Sequence, residues 1–131
     1  MICVVDDDAF VRCATQSLLQ SFGFEVLTFE SADAFLDSGL ARDTSCLVTD
    51  LRMPGLSGLC LQKRLVANGT PLPVVFVTAF ATEQARKEAM EDGAVGFLLK
   101  PFSEGALIDC IYRALEWWRQ PLMESGTAEL G

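Results

Sequence analysis

Four short apolar runs in this 131-residue chain end in residues that can do chemistry. Ile2 to Val5 leads into Asp6-Asp7-Asp8, Cys46 to Thr49 into Asp50, Val74 to Val77 into Thr78, and Gly96 to Leu99 into Lys100-Pro101. Brought to one place, they set three or four carboxylates around one ammonium and one hydroxyl, within reach of a single small anion. Crowded carboxylates raise one another's pKa unless a cation holds them, and an all-oxygen ligand set selects magnesium, with manganese as the alternative. Magnesium takes one or two protein carboxylates and keeps water and phosphate oxygens, which leaves one aspartate free as a nucleophile. Asp50, alone after the central run, is the best candidate, with Asp6 and Asp7 reaching the metal directly or through water. Lys100 then serves as a point charge on phosphoryl oxygens and Thr78 as a donor to another. The small Ala79 leaves a way in.

Composition narrows the alternatives. Half of the residues are hydrophobic and about a fifth are charged, enough for one full core. Eighteen acids against ten bases leave a net charge of −8, which repels a phosphate backbone, so this stretch is not expected to bind DNA itself. The absence of histidine excludes a phosphohistidine carrier, a Ser-His-Asp triad and a Cys-His dyad. Cys3, Cys13, Cys46, Cys60 and Cys110 are odd in number and without a C-x-x-C spacing, and they read as buried thiols in a reducing cytoplasm. No apolar run approaches a bilayer span and no secretory signal follows Met1, so a cytoplasmic location is expected.

The elements that must position these residues alternate, a short β-type run followed by a segment of helical period, five times over. That pattern predicts an α/β fold, a doubly wound five-stranded parallel sheet with helices on both faces. A helix is expected from about Ala9 to Phe22, with Asp8 as N-cap, Val11, Ala14, Leu18 and Phe22 at helical spacing, and Gly23 as the stop. Glu25 to Phe29 is the more polar strand and suits a sheet edge. Its helix is opened by Ser31, turns Ala34 and Phe35 to the core and ends at Gly39. Further helices are expected from Ser57 to about Asn68, from about Ala81 to Glu91, and from Ser103 towards Arg119. Pro121, Gly126, Thr127 and Gly131 break the period, so residues 120–131 read as a linker or disordered tail after a domain of residues 1–119. In such a sheet, ligands bind beyond the carboxyl ends of the strands, where the chemistry-bearing residues fall.

Taken singly, each piece has a plainer meaning. Asp6 to Asp8 cap a helix, Asp50 and Lys100-Pro101 are turn residues, Thr78 caps the next helix, Phe97 is core, and Trp117-Trp118 pack a helix end. Only the set carries weight. V-V-D-D-D at the start, V-T-D-L-R-M-P-G-L-S-G around Asp50, V-T-A after the fourth strand and F-L-L-K-P-F near the end stand in order over roughly residues 2 to 118. Together they resemble the receiver domain of two-component response regulators, nearest to transcriptional regulators with a LuxR/FixJ-type helix-turn-helix output. The resemblance implies a flavodoxin-like strand order 2-1-3-4-5 and Asp50 as phosphoacceptor. Asp7, Asp50 and the Arg52 main-chain carbonyl would hold magnesium, with Asp6 as an outer or water-mediated ligand. Thr78 and Lys100 would be phosphoryl contacts, Phe97 the switch aromatic, and the Lys100-Pro101 peptide cis. Arg52 and Phe80, two residues past Asp50 and Thr78, occupy places that the family links to how fast the phosphate is lost.

The implied function is a phospho-switch that takes a phosphoryl group from a sensor histidine kinase onto Asp50 and later loses it by hydrolysis, catalysing only its own modification. Homodimerisation through the fourth helix, fifth strand and fifth helix is expected to follow phosphorylation, with DNA bound only through an output domain that these residues do not contain. A haloacid-dehalogenase-type phosphohydrolase is the enzymatic rival. It wants a second acid two residues after the nucleophile, where Arg52 stands, and an acidic pair after the nucleophile rather than before it. An inert receiver acting as a dimerisation module is the third reading.

Overall fold

The computed structural model describes residues 1–118, so the expected tail at 120–131 lies outside the described residues. Five strands, β1 (Ile2–Val5), β2 (Val26–Phe29), β3 (Cys46–Asp50), β4 (Val74–Thr78) and β5 (Gly96–Leu99), form one parallel sheet in the order β2-β1-β3-β4-β5. Between and after them lie α1 (Ala9–Ser21), α2 (Ala32–Asp37), α3 (Gly58–Ala67), α4 (Glu83–Glu91) and α5 (Glu104–Trp117). A single 3₁₀ turn at Ala41–Asp43 had no expectation from the sequence.

Strand side chains alternate between faces, and the two hydrophobic clusters follow that alternation. Cys3, Val5, Leu47, Val74 and Phe76 pack with Phe35 of α2, Leu61 and Leu65 of α3 and Ala89 of α4. Ile2, Val4, Cys46, Val48, Val75 and Val77 pack with Leu19 of α1 and Leu107, Ile111 and Ala114 of α5. The layers are therefore α1 and α5 on one face and α2, α3 and α4 on the other. The polar strand β2 is an edge, as its composition suggested.

Each helix opens on a side-chain cap: Asp8, Ser31, Ser57, Thr82 and Ser103 accept backbone N–H groups of the first turn. Such a cap stabilises a helix by roughly 1 kcal/mol. Gly23, Gly39 and Gly93 follow the first, second and fourth helices with positive φ, where a side chain would be strained.

Two expectations are corrected. The α1 stripe at Val11, Ala14, Leu18 and Phe22 is not the buried face. Thr15 and Leu19 are buried, Val11 and Leu18 are half-buried, and Ala14 and Phe22 are exposed. The helix is rotated so that its most apolar edge borders solvent at a groove rather than the sheet. Nor are all thiols buried, because Cys13 on α1 and Cys60 on α3 face solvent. Boundaries shift slightly: β2 begins at Val26, and α4 begins at Glu83 because Thr82 supplies the cap.

Candidate functional site

Strand register does most of the assembly. Val5 pairs with Thr49, so the next residues, Asp6 and Asp50, emerge side by side at the carboxyl edge where the winding reverses between β1 and β3. Thr78 pairs with Leu99, and the Lys100 N–H donates to the Thr78 carbonyl at 2.8 Å, which sets Lys100 one step beyond β5 on the same edge. The Lys100-Pro101 peptide is cis.

The Lys100 ammonium reaches back across β4. It donates to Asp6 Oδ2 at 2.9 Å and to Asp50 Oδ2 at 2.9 Å, joining residues 94 and 50 positions apart. Asp6, Asp7 and Asp50 each offer a carboxylate oxygen within 4.8 Å of the others. Asp6 and Asp50 are buried, and Asp7 is exposed at the mouth. Three carboxylates against one ammonium leave the site short of positive charge, and the donor set is all oxygen. That is a fit for a hard divalent cation such as magnesium, and a poor one for zinc.

The ionisation of the site agrees. Burial pushes the Asp6 carboxyl up from its ordinary value, against the opposing pull of its bond from Lys100. For Lys100, burial works to lower the ammonium's pKa, but bonds to Asp50 and Asp6 outweigh it and the net direction is up. Burial thus disfavours the charged form of Asp6, while the two acids keep the proton on Lys100.

The loops are tied down by their own residues. The Arg52 N–H donates to Asp50 Oδ1 at 3.1 Å, leaving Oδ2 to Lys100. Asp6 Oδ1 accepts the Asp8 N–H at 2.9 Å, and Asp8 Oδ1 accepts from Phe10 and Val11, so Asp8 caps α1. Asp8 stands outside the trio of acids whose oxygens converge. Thr78 is buried, and its hydroxyl exchanges bonds with the Phe80 backbone, donating to the carbonyl at 3.1 Å and accepting from the N–H at 3.2 Å. It caps the turn after β4, while Thr82 caps α4. Exposed Ala79 keeps the approach open and borders a groove that runs past Lys100 and along Val11, Ala14 and Leu18 to Phe102.

Phe97 lies outside this cluster. It pairs with Phe76 across β4 and β5, ring centroids 6.1 Å apart, and lines a shallow groove between β5 and the start of α4. Two features escaped the sequence. The Arg52 guanidinium lies over the Phe80 ring at 5.5 Å, so the positions two residues past Asp50 and Thr78 touch each other. Arg12 Nη1 donates to the Asp6 carbonyl at 2.7 Å. The available signal for it was a base one turn after an acidic cap.

Comparison with known proteins identifies the arrangement. Residues 2–112 match the model of the response regulator receiver domain. The transcriptional regulatory protein FixJ of Azorhizobium caulinodans is 45% identical over 112 residues, covering 86% of this chain and 53% of the relative. TdiR of Thauera aromatica, also a transcriptional regulatory protein, is 42% identical over 86% of this chain and 49% of its own length. The chain thus spans about half the length of these curated relatives. Among solved structures, the response regulator StyR superposes with a TM-score of 0.82 at 41% identity, over 98% of this chain and 65% of that one. The structure described as FixJ-N gives 0.79 at 38% identity, over 88% and 92%.

Proposed function

The chain belongs to the response regulator receiver family, and from that membership we propose that Asp50 is its phosphoacceptor, charged by a sensor histidine kinase in a magnesium-dependent reaction. The observation that carries this is the pair of hydrogen bonds that the Lys100 ammonium donates to Asp6 and Asp50, in a pocket that also holds Asp7. An Asp50 carboxylate oxygen attacks phosphorus, the P–O bond forms as the P–N bond to the kinase imidazole breaks, and the imidazole leaves with the bonding pair. Asp7, Asp50 and the Arg52 carbonyl, with Asp6 directly or through water, would hold magnesium, which would supply charge neutralisation at the phosphoryl oxygens. Lys100 is placed to follow a phosphoryl oxygen once Asp50 Oδ2 is esterified. Thr78 can exchange its bond with the Phe80 backbone for one to the phosphate.

Phosphorylation replaces the single negative charge of the Asp50 carboxylate with the nearly two of a phosphoryl group, a net gain of about one, and brings three new acceptor oxygens. Movement of Thr78 towards them frees room beside Phe97, whose ring turns, and the α4–β5–α5 face changes. Shifting such an equilibrium from 1:99 to 99:1 needs about 5.5 kcal/mol, within reach of a new set of charge-assisted bonds. Leu99, 56% exposed on that face, suits a phosphorylation-dependent homodimer. By likeness to its relatives, the whole protein acts as a transcriptional regulator, with DNA bound by a helix-turn-helix output. No helix among the described residues is long and apolar enough to cross a membrane, and it is family membership that supports a cytoplasmic place of action. The hydrolase reading shares the strand-end aspartate, a Thr, a Lys and magnesium but lacks the second acid it wants, because Arg52 stands there and donates its backbone N–H to Asp50.

The test is incubation with a small phosphodonor and magnesium. One phosphoryl group per chain, absent in Asp50→Asn and in chelator, is the expected result. Multiple turnover points to a hydrolase, and no adduct points to an inert module.

A further inference from the structure

Asp6 is tied by every polar group it has. Its N–H donates to the Phe29 carbonyl at 3.1 Å, its Oδ1 accepts from Asp8, its Oδ2 accepts from Lys100, and its carbonyl accepts from Arg12 at 2.7 Å. The last of these bonds is charge-assisted, because arginine stays protonated at any working pH. Arg12 is itself placed by α1: its N–H donates to the Asp8 carbonyl at 2.9 Å, one turn above the cap. The loop from β1 to α1 is therefore closed as a ring of bonds, running from Asp6 to Asp8 through the cap and back from Arg12 to Asp6. Asp7 sits inside that ring. Its carboxylate makes no hydrogen bond among the described residues, yet it lies with those of Asp6 and Asp50. Only the backbone on either side holds it there.

We propose that Arg12 is a positioning residue for the cation site: by gripping the Asp6 carbonyl it fixes the backbone from which the exposed Asp7 carboxylate meets those of Asp6 and Asp50. The inference rests on the magnesium reading above. It also separates cleanly from a simple charge effect. A guanidinium beside an acidic pocket repels a divalent cation, so removing it for electrostatic reasons alone tightens metal binding. Removing a grip that orders the loop loosens binding instead, since the ordering is then demanded of the metal. The two effects have opposite signs.

The experiment is a magnesium titration of the chain, followed by NMR shifts of the amides at positions 6 to 8, for wild type, Arg12→Ala and Arg12→Lys. Arg12→Ala is expected to weaken magnesium about three- to tenfold, the scale of one net hydrogen bond. Arg12→Lys, which retains a charged donor, is expected to recover part of the loss. Labelling by a small phosphodonor should need more magnesium in Arg12→Ala while reaching a near-normal rate at saturation. Unchanged or tighter magnesium binding in Arg12→Ala overturns the positioning role. Wild type that shows no magnesium-dependent shifts overturns the metal reading itself, and this inference with it. Should Arg12→Ala fail to fold in chelator, Arg12→Met keeps the aliphatic stem on α1 and makes the same comparison.

Discussion

Gly58 lies directly against the backbone of Asp50. A Cβ built on Gly58 overlaps the Asp50 carbonyl oxygen and stands 3.0 Å from the Phe76 ring. The Gly58 N–H donates to the Leu51 carbonyl at 3.0 Å, so the first turn of α3 is drawn onto the end of β3. The Asp50 carbonyl leaves no room for a side chain there.

Gly58→Ala is accordingly expected to destabilise the domain by about 1–3 kcal/mol, the usual effect of overpacking, and to slow labelling of Asp50. Urea unfolding and phosphodonor labelling, run side by side, check it. Wild-type values in both would mean that α3 shifts away from β3 freely.

Lys100 neutralises two buried carboxylates at once, and its loss has two consequences of opposite kind. Lys100→Met keeps the stem but leaves Asp6 and Asp50 without their cation, so magnesium should bind more tightly as the replacement charge. Transfer should nevertheless slow by at least about tenfold, because a contact made to the phosphoryl group is gone. Weaker magnesium binding together with normal labelling would contradict both halves.

The Asp6 carboxyl titrates above its ordinary value because it is buried. The folded protein therefore holds that proton more tightly than the unfolded chain does. Its contribution to stability is fully present below the unfolded carboxyl pKa and is lost as pH rises through the folded one. Asp6→Asn should raise the melting temperature of the metal-free protein by a few degrees at neutral pH, and this gain should shrink on acidification. Magnesium affinity of the wild type should fall over the same acidic window, since proton and metal compete for one carboxylate. Thermal scans in chelator at several pH values give the first result, and magnesium titrations the second.

Phe97 packs on Phe76 away from the acids, so it can affect the output without touching the chemistry. Phe97→Ala is expected to accept phosphate at close to the wild-type rate and to fail in phosphorylation-dependent dimerisation, read by light scattering with and without phosphodonor. A dimer that forms normally on phosphorylation would remove Phe97 from the switch.

Much of this was legible before any coordinates. Strands buried on both faces advertise themselves as unbroken apolar runs, and their polar final residues mark the edge at which Asp6, Asp50 and Lys100 converge, with Thr78 at the end of the neighbouring strand. The phase of α1 was not legible, because Val11, Ala14, Leu18 and Phe22 form as good an apolar stripe as the buried residues do. Thr15 and Leu19 win only through contact with the sheet layer. Nor could spacing reveal the Arg12 grip or the Arg52–Phe80 stack, since each joins residues whose meeting depends on loop paths. The same holds for Gln62, half of whose amide finds the Ala89 carbonyl while its oxygen has no partner among the described residues.

Trp118 donates its indole N–H to the Ser45 carbonyl at 2.8 Å, at the threshold of β3 and a full strand away from Asp50. A five-residue strand is about 17 Å long. The final described helix is thus moored to the rear of the very strand whose front carries Asp50. Trp118 therefore stands at the opposite edge of the sheet from Asp50, and a change at Asp50 reaches it through the packed side chains between them rather than by contact.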